Sequence, residues 1–159
     1  GFRGSSTAEL RLLGMMDVFD AHEGIEVVAS IAADWDQEKG LKASEDILQA
    51  HPEVDAIIGS NDLMALGAVQ AVKGAGRLDD IIVVGDDAIP SALASLRNGE
   101  LDATIDGNTD MVGYEAVMAA YRHVTEGEDL DDWIVVESSI MTAEDVTQDY
   151  LDGRGIELD

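Results

Sequence analysis

The chain has 159 residues, enough for one domain with a full core and too few for two of ordinary size. Its 34 acidic residues against 9 basic ones give a formal charge of −25, a surface that repels phosphate backbones and anionic membranes and so excludes nucleic acid as a partner. There is no cysteine, hence no disulfide framework, thiolate metal site or cysteine nucleophile, and an aromatic content of 4% points to an aliphatic core.

Strand and helix patterns alternate along the whole chain with short polar connections, the signature of an α/β sheet. Residues Ala8 to Ala21 read as a helix with Leu10, Leu13, Met16 and Phe19 on one face, capped by Ser5, Ser6 or Thr7. Ile25 to Ile31 reads as a strand, and Gln37 to Ala50 as a second helix that ends before His51-Pro52. The apolar run Val54 to Ile58 stops at Gly59, and Ser60, Asn61 and Asp62 then supply capping side chains for an alanine-rich helix from Leu63 to Ala75. Ile81 to Val84 is short and wholly apolar, as a central parallel strand is, and Pro90 opens a helix that runs to Asn98. Leu101 to Ile105 is a further strand, and Asp110 to Glu126 a helix whose apolar residues form no single stripe. Trp133 to Val136 reads as a late strand, and the cap Thr142-Ala-Glu-Asp145 starts a closing helix to about Leu151. The fold class expected is α/β: a three-layer parallel sheet with helices on both faces.

In open parallel sheets ligands sit at the C-terminal ends of the strands, so Asn61, Asp62 and Asp87 are candidate ligand contacts. Asn61 and Asp62 would cap a helix in any case; Asp86-Asp87 is otherwise a polar turn. Trp35, between Asp34 and Asp36, reads first as a loop anchor and second as a stacking platform. Gly74-Ala-Gly76 follows a helix, not a strand, which makes it a C-cap and not a dinucleotide loop. His22, His51 and His123 are far apart near helix ends, and the acidic run Glu126 to Asp132 lacks calcium-loop spacing, so neither metal nor cofactor is expected. No serine elbow and no nucleophile–base pair is present, and an enzyme is not expected.

Several separated segments resemble the C-terminal half of type I periplasmic sugar-binding proteins, especially those for ribose. They are Gly4 to Gly14, Ala33 to Asp36 with Lys39-Gly40, His51-Pro52, Ser60 to Gly67, Val83 to Asp87, and Gly99 to Ile105, in the family's order and spacing. The resemblance implies a Rossmann-like lobe of a two-lobed, extracytoplasmic clamp that closes on a sugar or polyol and delivers it to the membrane subunits of an ABC importer. It also implies that the first lobe and any signal sequence precede Gly1, and that residues from about 109 to 132 pack on that N-terminal lobe. The family's sugar-binding asparagine and aspartate fall on Asn61 and Asp87. Its sugar-binding arginine falls on Glu9, with Arg11 matching a second arginine; its aromatic falls on Asp86; and its glutamine falls on Gly107, beside Asn108. Glu9, Arg11, Asn61, Asp86, Asp87 and Asn108 are therefore the expected ligand-binding set. A pocket with three such carboxylates suits a polyol, an amino sugar or another cationic solute as well as ribose.

The alternative reading is the effector-binding core of a lactose-repressor-type transcription regulator, which shares the fold. The Asp34-Trp-Asp36 and Gly99 to Ile105 segments lean toward transport. An isolated lobe would leave its lobe-facing surface uncovered and form a homodimer.

Overall fold

The computed structural model describes residues 1–158. In chain order the elements are α1 (Ser6–Asp20), α2 (Gln37–Ala50), β1 (Ala56–Ile58), α3 (Asp62–Gly74), β2 (Ile82–Val84), α4 (Pro90–Arg97), β3 (Thr104–Asp106), α5 (Thr109–Glu126), β4 (Ser139–Met141) and α6 (Gln148–Arg154). Strand β1 pairs with β2 in parallel, Ile57 opposite Val83. Strand β2 continues to β3 through a parallel bridge, Val84 to Ala103. β4 then closes the edge antiparallel to β3, Ile140 opposite Ile105. The result is an α/β lobe whose one antiparallel edge strand is a common addition to a parallel sheet.

The core lies where α3, α4 and α6 meet the sheet. Ala65, Val72, Val83, Ala92, Leu93, Leu96 and Leu151 are almost wholly buried there, an aliphatic core as the composition implies. Helix α2 packs on α3 through glycines. A Cβ on Gly67 would stand 2.5 Å from the Leu41 nitrogen, and one on Gly40 would stand 2.7 Å from the Met64 carbonyl oxygen. The two backbones touch because neither residue carries a side chain.

Three expectations change. Ile25 to Ile31 is not a strand: among the described residues, 26 to 32 make no backbone hydrogen bond, and Ile25, Val27, Val28 and Ile31 remain exposed. The stretch stands off β1, leaving a cavity of about 1200 Å³ between them, and α1 above it buries no residue. An extended segment without a ladder partner is not a strand, whatever its apolar pattern. The second change is at Trp133 to Val136, which is irregular, with Trp133 and Val135 both more than four-fifths exposed. The pairing strand is β4, three residues further on. Thirdly, the Thr142 cap is real but local. The Thr142 backbone N–H and hydroxyl both donate to Asp145 Oδ2, at 2.8 and 2.9 Å, and close a turn. The helix begins only at Gln148, where Thr147 Oγ1 accepts from the Tyr150 N–H.

Helix α5 buries only Ala119 and leaves Met111, Val112, Tyr114, Val117, Tyr121 and Val124 exposed. Its missing apolar stripe thus has a structural counterpart: it does not pack on the core of this lobe. The arm of residues 109–136 leaves at Asn108 and returns at Glu137, and a polar cluster ties these two points together. Asn108 Nδ2 donates to the Glu137 carbonyl at 2.7 Å, and Arg154 donates to both Asn108 Oδ1 and Asp106 Oδ2 at 2.8 Å. Tyr150 also donates to Asp106 Oδ2, at 2.8 Å, and the Arg154 guanidinium lies 4.2 Å over its ring. Burial, then the bond to Asp106, pushes the Tyr150 hydroxyl up to about 12.

Candidate functional site

Three connections meet at the C-terminal ends of the strands: Gly59 to Asn61 after β1, Gly85 to Ile89 after β2, and Gly107-Asn108 after β3. The first two are joined by the Asp62 N–H donating to the Asp86 carbonyl at 2.8 Å. Asn61 sits at the N-cap of α3 with extended backbone, and its Oδ1 accepts from the Met64 N–H at 3.0 Å. Capping thus uses only the carbonyl half of the amide. The Nδ2 group remains as a donor, so the capping and ligand readings of Asn61 are compatible.

Arg11 reaches across from α1 and uses all three guanidinium nitrogens. Nη1 donates to the Ser60 carbonyl at 2.6 Å, Nε pairs with Asp86 Oδ2 at 3.0 Å, and Nη2 pairs with Asp87 Oδ1 at 2.9 Å. The same guanidinium lies 5.8 Å from the centroid of Trp35. A planar fork is suited to such a three-point bridge, and among the described residues it leaves Asp87 Oδ2 without a protein partner. Asp87 has φ 126° and Ala88 φ 53°, two successive non-glycine residues in the left-handed half of conformational space.

Burial pushes the Asp86 carboxyl up to about 6; Arg11 pulls it down, while Asp87 and Asp62 push it further up. The folded lobe therefore holds this proton more tightly than the unfolded chain does. The resulting stabilisation is complete below the ordinary carboxylate value of 3.8 and is lost as pH rises through about 6. Comparing the protein with its Asp86→Asn variant, the wild type should gain up to about 3 kcal/mol relative to the variant as pH falls from 7 to 4. Urea titrations at several pH values measure this, and a pH-independent difference would refute it.

The structure thus brings Arg11, Asp86, Asp87, Ser60 and Trp35 together, with Asn61 on the adjoining loop. Glu9 is exposed on α1 and lines the cavity beside β1, which Asp86 and Asp87 do not line. That cavity is the gap left by the unpaired stretch 25–31, and we assign the site to the polar loops instead. Asn108 belongs to the cluster with Asp106 and Arg154, its amide engaged at both ends. Four residues here escaped the sequence reading: Thr104, Asp106, Tyr150 and Arg154. Only a fold in hand shows that Tyr150 and Arg154, more than 40 residues from Asp106 in sequence, converge on it.

Comparison with known proteins bears on the chain as a whole. Among curated proteins, the ribose import binding protein of Salmonella typhimurium is 40% identical over 128 residues, which are 80% of this chain and 42% of that protein. Among solved structures, an ABC transporter periplasmic solute-binding protein from Actinobacillus succinogenes with bound D-allose superposes with a TM-score of 0.86 at 30% identity, covering 92% of this chain and 52% of that one. A solute-binding protein from Bacillus halodurans with bound myo-inositol gives 0.82 at 35% identity, covering 94% and 51%. The chain therefore spans about half the length of these relatives or less. The sequence model of the periplasmic binding protein domain matches residues 1–129, most of the chain. With a family model that covers most of the chain and lobes that superpose as a whole, the chain belongs to the periplasmic binding protein domain family.

Proposed function

We propose that this chain is the second ligand-binding lobe of an extracytoplasmic solute-binding protein that captures a monosaccharide or related polyol and presents it to the membrane subunits of an ABC importer. The observation that carries the reading is the pairing of an available amide donor on Asn61 with an available carboxylate oxygen on Asp87, on loops that end neighbouring parallel strands. Donor and acceptor together satisfy a sugar hydroxyl, which both gives and receives a hydrogen bond. The relatives' sugar and polyol ligands support that class, and they favour transport over the repressor alternative. Trp35, Arg11 and Asp86 border the same place; Glu9 lines the cavity beside β1 and Asn108 is engaged with Glu137 and Arg154.

A solute held between two lobes stabilises only the closed arrangement, so binding shifts an open–closed equilibrium that the importer reads. The exposed apolar residues of α5 and of 130–135 form the surface on which the first lobe packs. Without that lobe the same surface drives homodimer formation, and sizing by light scattering checks this: a strict monomer contradicts it. The acidic surface suits a salt-rich setting, where self-repulsion is screened within ~10 Å. A melting temperature that stays flat or falls between low and molar KCl contradicts that part.

The experiment for function is a thermal-shift screen of the full-length protein against D-ribose, D-allose, myo-inositol, other pentoses and hexoses, and amino sugars. A ligand at 100 times its Kd adds about 2.7 kcal/mol of stability, which such a screen detects. A shift with one class names the solute. No shift with any sugar or polyol overturns the reading.

A further inference from the structure

We propose that Asp62, which lies beneath the site and is fully shielded from solvent, is a positioning residue for solute binding. Its carboxylate, acting with the Thr104 hydroxyl, holds the loop after β2 in the conformation that aims Asp87 at the solute. The inference rests on the reading of Asp87 as a solute contact.

Two consecutive non-glycine residues at positive φ, Asp87 and Ala88, are strained and persist only where the surroundings hold them. Arg11 holds the Asp86 and Asp87 side chains from above, and the groups that hold the loop's backbone are few. Asp62 Oδ2 accepts from the Ile89 N–H at 2.9 Å, and Asp62 Oδ1 accepts from the Thr104 hydroxyl at 2.6 Å. Because that hydroxyl proton is committed to Asp62, Thr104 Oγ1 is left as an acceptor, and the Ala88 N–H donates to it at 3.4 Å. The Asp62 N–H donates to the Asp86 carbonyl at 2.8 Å, and the Asp87 N–H donates to the Ile105 carbonyl at 2.9 Å. Of the three backbone N–H groups from Asp87 to Ile89, one therefore depends on Asp62 directly and one through Thr104.

Close packing at this point has its own mark in the chain. A Cβ on Gly85 would collide with Asp62 Oδ1, so a larger residue there would have to push this carboxylate off its bonds to Ile89 and Thr104. An acid in the first turn of α3 also gains from the helix dipole, which helps a carboxylate stay in a buried place. If the dipole and burial were its whole role, replacing Asp62 would change stability and nothing specific to the loop or to Asp87.

The test uses the full-length protein and the variants Asp62→Asn, Thr104→Val and Asp87→Asn, with Asp62→Asn/Asp87→Asn as the double variant. Without ligand, hydrogen exchange of residues 86–89 should rise by about tenfold or more in Asp62→Asn and Thr104→Val, ahead of the core strands. With D-ribose, D-allose or myo-inositol as calorimetric probes, each of these two variants should bind about tenfold more weakly. Adding Asp62→Asn to Asp87→Asn should cost less than about threefold, because an aim without a carboxylate has little to lose. Unchanged loop exchange, or a full tenfold loss retained in the Asp87→Asn background, overturns the proposal. Thr104→Val, a smaller perturbation, carries both measurements if Asp62→Asn does not fold. If the wild type binds none of the three probes, the sugar reading fails, while the exchange result still decides whether Asp62 holds the loop.

Discussion

Replacing Gly67 with alanine should destabilise the lobe by about 3 kcal/mol, although alanine is the better helix former by up to ~1 kcal/mol. The added Cβ has nowhere to go: it would overlap the Gln37 carbonyl oxygen and approach the Leu41 nitrogen to 2.5 Å. Both are backbone atoms of α2, which no rotamer change can move. The helices must separate, and the buried faces of Met64 and Ala68 would open with them. Gly113→Ala on α5 is the control with the opposite sign. Nothing lies within 4 Å of its added Cβ, so the helix should gain about 0.5–1 kcal/mol. Urea unfolding of both variants measures the pair; equal effects at the two sites would contradict the close contact of α2 with α3.

Asp87→Asn should weaken sugar binding by the full-length protein by about 10- to 100-fold while leaving the melting temperature nearly unchanged. Asparagine tolerates positive φ, so the loop is not strained by the exchange, and Asp87 is 40% exposed, so the core is untouched. What is lost is charge. A hydrogen bond to an ionised acceptor is worth about 1.5–3 kcal/mol, and the Arg11 Nη2 contact loses its ionic partner at the same time. Isothermal titration with the sugar found in the thermal screen reads the change. A variant that binds as tightly as the wild type would remove Asp87 from the site.

Most helices were legible because each carries its own signals. Asp36 accepts from the Lys39 N–H at 2.9 Å and Asn61 from the Met64 N–H at 3.0 Å, so the starts of α2 and α3 are written in local side chains. Pro90 at the start of α4 is read in the same way. Strands were less legible, since a strand exists only through a neighbour's hydrogen bonds. Val54 to Ile58 and Ile25 to Ile31 have the same apolar character, yet only the first contains a paired strand. The exposed run Trp133 to Val136 shows the same limit: an apolar stretch records that a surface is to be covered and not by what.

By itself the sequence determined the acidic, cysteine-free character of the lobe, its α/β class, and the polar loops that carry Asn61 and Asp87. These follow from composition and from contacts within a few residues, where chain order and spatial order coincide. Only the tertiary structure decided that Arg11 bridges Asp86 and Asp87 across 75 and 76 positions, and that Asp62 and Thr104 meet beneath them, 42 positions apart. It likewise placed Asn108 with Arg154 at the foot of the α5 arm. Hydrogen bonds and ion pairs act over about 3 Å of space, and no local spacing encodes which distant residues the fold will bring that close.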